Sequence, residues 1–248
     1  MRLKWIGILV LVAIVSSCAP SSIAVDQCGN PKNAPYLYDL SGNGIFRAGT
    51  IQTWVSDDDG ITVGISFLYT NNGTLMLGTI EHIAQLSKTN CTYIAIPGTN
   101  FLGILNWNRF AAQTGTNDRF YSYQISSEAA QPLLKYIQNG TIDSLTLASN
   151  KIIQIGETIA IPRVDTGKFT VYRVTGFEDG QWIAETDGSA GIICEGRSGG
   201  PILSISPQGV VTDKVIGVVS AINTNSQYRT TDQTGNLCSL KLYFTPIR

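Results

Sequence analysis

Ser198 stands in the string Cys194-Glu195-Gly196-Arg197-Ser198-Gly199-Gly200-Pro201. Glycines on both sides let the backbone turn sharply, so the hydroxyl is presented while nearby N–H groups converge on the same spot. That combination suits a nucleophile of acyl transfer. Glycines beside serine also make ordinary turns, so the reading depends on finding a base. The chain holds one histidine, His82, which makes the choice of imidazole a forced one.

Both residues need rigid elements to hold them. A strand over 63–69, the turn Asn71-Asn72-Gly73 and a second strand over 75–80 lead directly to His82. After the serine, Pro201 fixes φ and 202–205 reads as the start of a strand, so Ser198 falls at a loop–strand junction. Short runs rich in Val, Ile, Thr, Tyr and Phe recur at 49–55, 61–69, 74–80, 92–96 and 119–125, and again at 151–162, 169–177, 181–186, 201–206, 210–222 and 240–244. Such spacing predicts an all-β sandwich or barrel. Only 126–138 has much helical character; Pro132 interrupts it, and it reads as a crossover between two sets of strands. The stretch 28–43, rich in Pro, Asn and Gly, reads as an irregular arm.

The string Gly196-Arg197-Ser198-Gly199-Gly200-Pro201, with Cys194 four residues before the serine, resembles the nucleophile loop of trypsin-like serine proteases. The strand–turn–strand–histidine segment resembles that family's histidine segment, with Thr79 matching and Gly78 and Glu81 departing from it. Asn117-Asp118, followed by an alternating strand, resembles the family's third triad segment, although Arg119 matches poorly; Asp143 is the weaker alternative. The order His82, Asp118, Ser198 is the order these proteases use. Residues 145–149 and 155–162 are similar to the start of the second barrel in bacterial Deg-type proteases, so the resemblance covers about residue 49 to the C-terminus.

The resemblance implies two six-stranded antiparallel β-barrels with the active site in the cleft between them. The expected division is 1–18 signal peptide, 19–45 arm, 46–125 first barrel, 126–144 crossover and 145–248 second barrel. It further implies a Ser-His-Asp serine endopeptidase that hydrolyses peptide bonds through an acyl-enzyme, with an oxyanion hole from the N–H groups of Gly196 and Ser198. Ser220 and Ala221 would pair with substrate backbone, and Ile192 would form the base of an apolar specificity pocket favouring small or medium apolar residues. Arg197 replaces the aspartate that pairs with a newly cut N-terminus in zymogen-type members, and no Ile-Val-Gly-Gly sequence occurs, so proteolytic activation by that route is not expected. The chain stops at Arg248 without a PDZ domain, and a monomer is expected. The departures at Gly78, Glu81 and Arg119 leave open a catalytically degenerate binding module, and an esterase would use the same triad.

Arg2 and Lys4 precede an apolar run over 5–15, too short to span a bilayer and suited to a secretory signal. The ending Val15-Ser16-Ser17-Cys18 looks like a bacterial lipobox, which predicts export and lipidation of Cys18 in the cell envelope; cleavage after Ala24, giving a secreted protein, is the rival. Either way four cysteines remain, Cys28, Cys91, Cys194 and Cys238, and an oxidising compartment lets them pair in any of three ways. The resemblance implies Cys194 with Cys238, which leaves Cys28 with Cys91. With 17 Lys+Arg against 18 Asp+Glu and no basic run, nothing points to nucleic acid. No cysteine–histidine spacing suits a metal, and no cofactor is expected.

Overall fold

The computed structural model describes residues 50–57, 60–89, 91–95, 111–117, 119–125, 130–131, 134, 137–138, 145–148, 150–162, 168–232 and 235–247. The expected signal peptide, lipidation site, arm, Asp118 and Asp143 lie outside them. No helix among the described residues is long and apolar enough to cross a membrane.

Six strands make the first barrel: β1 (Thr50–Asp57), β2 (Gly60–Asn71), β3 (Thr74–Ile80), β4 (Cys91–Ala95), β5 (Ala111–Asn117) and β6 (Phe120–Ile125). All their pairings are antiparallel, in the order β4-β1-β2-β3-β6-β5. The hairpin between β2 and β3 turns at Asn72 and Gly73, both at positive φ, as an Asn-Gly pair in a two-residue turn should.

The second barrel is built from β8 (Thr158–Pro162), β9 (Phe169–Glu178), β10 (Gln181–Glu185), β12 (Pro201–Ile205), β13 (Val211–Ile222) and β16 (Lys241–Pro246). They run in the ring β12-β8-β9-β10-β16-β13, and β13 returns to β12 as far as Val218, so the barrel is closed. The two-residue β7 (Thr146–Leu147) lies parallel to β13. A small sheet β11-β15-β14, from β11 (Ile193–Cys194), β14 (Arg229–Thr231) and β15 (Leu237–Ser239), is tied to the barrel through the Tyr172 hydroxyl, which donates to Ser239 O at 2.9 Å and accepts from Ile193 N at 3.0 Å. The all-β, two-barrel expectation therefore holds.

Two expectations are corrected. Residues 126–138 are not the sole helical stretch: α1 (Glu81–Thr89) starts where β3 ends. It buries Ile83 and Ala84, carries Glu81 in its first turn, and Gln85 Nε2 donates to Glu81 Oε1 at 2.9 Å. In the second barrel the strand expected over 151–162 covers only Thr158–Pro162. Ile152 and Ile155 are exposed while Ile153 between them is buried in the second-barrel core, so this segment is anchored by one side chain without being part of the sheet.

One apolar cluster fills the second barrel, with Tyr172, Ile202, Leu242 and Phe244 among its members. Another joins the barrels: Phe67, Ile80, Ile83 and Phe120 from the first pack with Leu203, Val215, Val218 and Ile247 from the second. Full burial of such side chains stabilises by roughly 1.5–3 kcal/mol each. Gly78 belongs to this packing, since a Cβ there would lie 2.5 Å from the Phe67 ring and 2.9 Å from Phe120. Its departure from the family pattern thus leaves room for two aromatic rings.

Candidate active site

Ser198 is half-buried in the loop between β11 and β12. Both barrels hold that loop. From the first, Ile65 N donates to Ser198 O at 2.8 Å; from the second, Gly199 N donates to Val219 O at 2.8 Å and Val219 N to Gly200 O at 2.9 Å. The glycines are needed for the close approach: Gly199 has φ +85°, and a Cβ on it would run into Ile65 O and stand 2.5 Å from Thr79 Oγ1. Thr79 is fully buried and its hydroxyl donates to the same Ile65 carbonyl at 3.1 Å. A Cβ on Gly64 would meet the Ile83 side chain and lie 3.3 Å from Ser198 O. Gly64 is thus the point where the nucleophile loop and the helix of His82 press on one strand.

His82 is the second residue of α1, whose first N–H, from Glu81, donates to Arg119 O at 2.8 Å. Its side chain retains solvent exposure, yet enough protein surrounds the ring to lower its pKa from the ordinary 6.5. Burial is the largest cause; Glu81 opposes it and the cation of Arg119 adds to it. The imidazole is therefore mainly neutral at pH 7, the form a base requires. Asp118 lies outside the described residues, between β5, which ends at Asn117, and the turn residue Arg119.

The hydroxyl of Ser198 donates to Ser220 O at 3.2 Å, and no described hydrogen bond joins it to His82. Gly196 has φ +80°. Among the described residues, the N–H groups of Gly196 and Ser198 have no acceptor, while those of Glu195, Gly199 and Gly200 are all bonded. Two unspent donors two residues apart, beside a serine hydroxyl, are suited to an oxyanion.

Ser220 lies at a bulge: Val219 pairs with Phe244 and Ala221 with Tyr243, leaving the serine between them. Ser220 is buried and its hydroxyl pairs with Thr245 Oγ1 at 3.1 Å. Past Val219 the only described strand beside β13 is β16, so the opposite edge of β13 is open where Ala221 is exposed. Ile192 is half-buried, its Cγ2 3.8 Å from where a Gly188 side chain would begin. Cys194 and Cys238 face each other across β11 and β15 and form a disulfide; Cys28 lies outside the described residues, as does the Cys91 side chain. Among the described residues, the cluster close enough to share a metal is Cys194, Asp232 and Cys238, and its two sulfurs are bonded to each other.

Sequence reasoning passed over Asn223, Lys241 and Tyr243, which the pairing of β13 with β16 brings together. They read only as strand residues, and nothing short of the β13–β16 register, with its bulge, brings them together.

No protein-family model matches the chain, and no curated protein matches its sequence. Among solved structures it is similar to an HtrA-type protease with a tripeptide, at 13% identity, TM-score 0.46, and coverage of 84% of this chain and 58% of that one. It is also similar to a thermostable serine protease from an extremophilic microorganism, at 10% identity, TM-score 0.47, and coverage of 81% and 91%. A third is the tobacco vein mottling virus protease, at 12% identity, TM-score 0.49, and coverage of 81% and 77%. The chain thus spans 58% of the length of the HtrA-type protease. At these identities any likeness is one of fold alone.

Proposed function

We propose that the protein is a serine endopeptidase, exported and held at a cell-envelope membrane by a lipid on Cys18, or secreted if cleaved after Ala24. The observation that carries the enzymatic reading is the pair of unspent N–H donors at Gly196 and Ser198 beside the Ser198 hydroxyl. In the reaction, a peptide strand adds to the open edge of β13 at Ser220 and Ala221. Ser198 Oγ leaves the Ser220 carbonyl and attacks the peptide carbonyl carbon, giving its proton to His82. The Gly196 and Ser198 amides hold the oxyanion, where loss of one donor typically costs about 10²–10³ in rate. His82 then protonates the leaving amine. Water, deprotonated by the same imidazole, releases the acid from the acyl-enzyme. Asp118 is assigned to orient the imidazole; its chain neighbour Arg119 is tied by its carbonyl to the first residue of α1.

The second reading, a catalytically degenerate module that binds peptides, is favoured by one observation: the Ser198 hydroxyl is bonded to Ser220 O and not to the imidazole. Labelling with a fluorophosphonate separates the two. The endopeptidase labels at Ser198, and Ser198→Ala and His82→Ala both abolish it. A folded wild type that does not label moves the protein to the binding class.

A further inference from the structure

Along β16, Leu242 and Phe244 point into the filled interior of the second barrel. Lys241, Tyr243 and Thr245 therefore share its outer face. Their partners fix the order of that face. Thr245 meets Ser220, beneath the nucleophile; Tyr243 is opposite Ala221; and Lys241 accepts through its carbonyl from Asn223 N at 2.9 Å. The chain after Asn223 folds back over this row, for Leu240 N donates to Tyr228 O at 3.0 Å and the Tyr228 ring covers Lys241 Nζ at 4.9 Å. A substrate strand on the open edge of β13, with its carbonyl at Ser198, directs the side chain of the residue before the scissile bond onto this row.

The row is polar at its far end. Asn223 is buried and its Oδ1 accepts from Asn225 N at 2.9 Å, which fixes the amide so that Nδ2 donates to Tyr243 Oη at 2.8 Å. The Tyr243 hydroxyl is thus an acceptor in its one described bond, and its proton goes to no described acceptor. Beyond it the Lys241 side chain is only 15% exposed and holds Glu185 at 3.6 Å. Burial works against the charge of Lys241, but Tyr228, Glu185 and Tyr243 outweigh it and the ammonium stays protonated well above neutral pH. An ammonium with one long ion pair has donors to spare, since it carries three.

The geometry points to a pocket for an acidic side chain: the Tyr243 hydroxyl and the Lys241 ammonium select a substrate with glutamate, ahead of glutamine, immediately before the scissile bond. This rests on the cleft at Ser198 being the peptide site and narrows its substrates from the apolar preference that Ile192 alone suggests. Glu185 sets the balance. It competes with the incoming carboxylate for the ammonium, so removing its charge sharpens the choice of glutamate over glutamine.

The test uses peptides identical except for Glu, Gln, Leu or Lys before the scissile bond. Hydrolysis is measured with the full-length wild type, and binding, by titration calorimetry, with full-length Ser198→Ala, which needs no turnover. Charge-assisted hydrogen bonds predict roughly a 10- to 100-fold preference for Glu over Leu. In the Ser198→Ala background, Lys241→Met collapses that ratio and Lys241→Arg restores most of it. Equal or tighter binding of Leu, or a ratio unmoved by Lys241→Met, overturns the assignment. Should Lys241→Met fail to fold, Glu185→Gln decides: the Glu-to-Gln ratio rises if the assignment is right, and a constant or lower ratio overturns it. Selective binding without hydrolysis or labelling refutes the endopeptidase and leaves the pocket standing.

Discussion

Gly199→Ala tests whether the nucleophile loop is held by contact with the first barrel. Gly199 has φ +85°, and the added methyl would meet Ile65 O and Thr79 Oγ1. Neither can swing aside, because the Ile65 carbonyl is part of β2 and already accepts from Thr79 at 3.1 Å. A left-handed backbone costs alanine about 1–2 kcal/mol, and forced overpacking adds about 1–3 kcal/mol. The loss of roughly 2–5 kcal/mol is a large part of a typical stability of about 5–15 kcal/mol. At about 2–4 °C per kcal/mol for a domain of this size, Tm falls by roughly 4–20 °C. Gly209 is the control: φ is +79° and a Cβ there meets nothing within 4 Å. Gly209→Ala carries only the backbone contribution and loses roughly 2–8 °C. Thermal unfolding followed by circular dichroism gives both shifts, and fluorophosphonate labelling of the folded variants gives the state of the loop. Labelling is lost in Gly199→Ala and kept in Gly209→Ala. A Gly199→Ala protein that melts with the control and labels fully refutes the docking described above.

Because burial lowers the His82 pKa, with Glu81 opposing and Arg119 assisting, the acid limb of kcat/KM lies below pH 6.5, as the reaction needs the neutral ring. Arg119→Gln removes a cation and moves that limb to higher pH, whereas Glu81→Gln moves it lower; opposite shifts in the pH–rate profiles contradict the assignment. The Cys194–Cys238 disulfide joins residues 44 apart, so replacing both cysteines by serine costs about 4 kcal/mol in the chain-entropy model. The same change also weakens labelling, because the cross-link ends two residues before Gly196. A double variant with unchanged Tm and labelling counts against both statements.

What the sequence made legible was what local pattern encodes. The limits of β3 and the Asn-Gly turn before it follow from a short apolar run and a turn dipeptide, and they are as read. Ser198 and His82 could be nominated because glycine flanks and a lone imidazole are visible without a fold. β5 could not: its sequence AAQTGTN has no apolar alternation, and it exists by pairing with β6. α1 was hidden because its nine residues follow a strand without a break, and packing of Ile83 against Gly64 holds it. β11, β14 and β15 are two or three residues long and depend on neighbours distant in sequence. Asn223, Lys241 and Tyr243 show the same limit for a site. Each is unremarkable in its own strand, and they meet only because the bulge at Ser220 sets the register of β13 on β16.

The loop of Ser198 takes hydrogen bonds from Ile65 of one barrel and exchanges them with Val219 of the other. Its geometry therefore belongs to neither barrel alone. Residues 50–125 leave the ribosome before that loop, and the N–H of Ile65 waits for a carbonyl made more than a hundred residues later, in a loop that in turn waits for Val219. A chain caught part-way through synthesis has its imidazole but no assembled loop around Ser198. Timing is thus written into the connectivity, and the Ser198 loop takes its shape only when the last strands have closed.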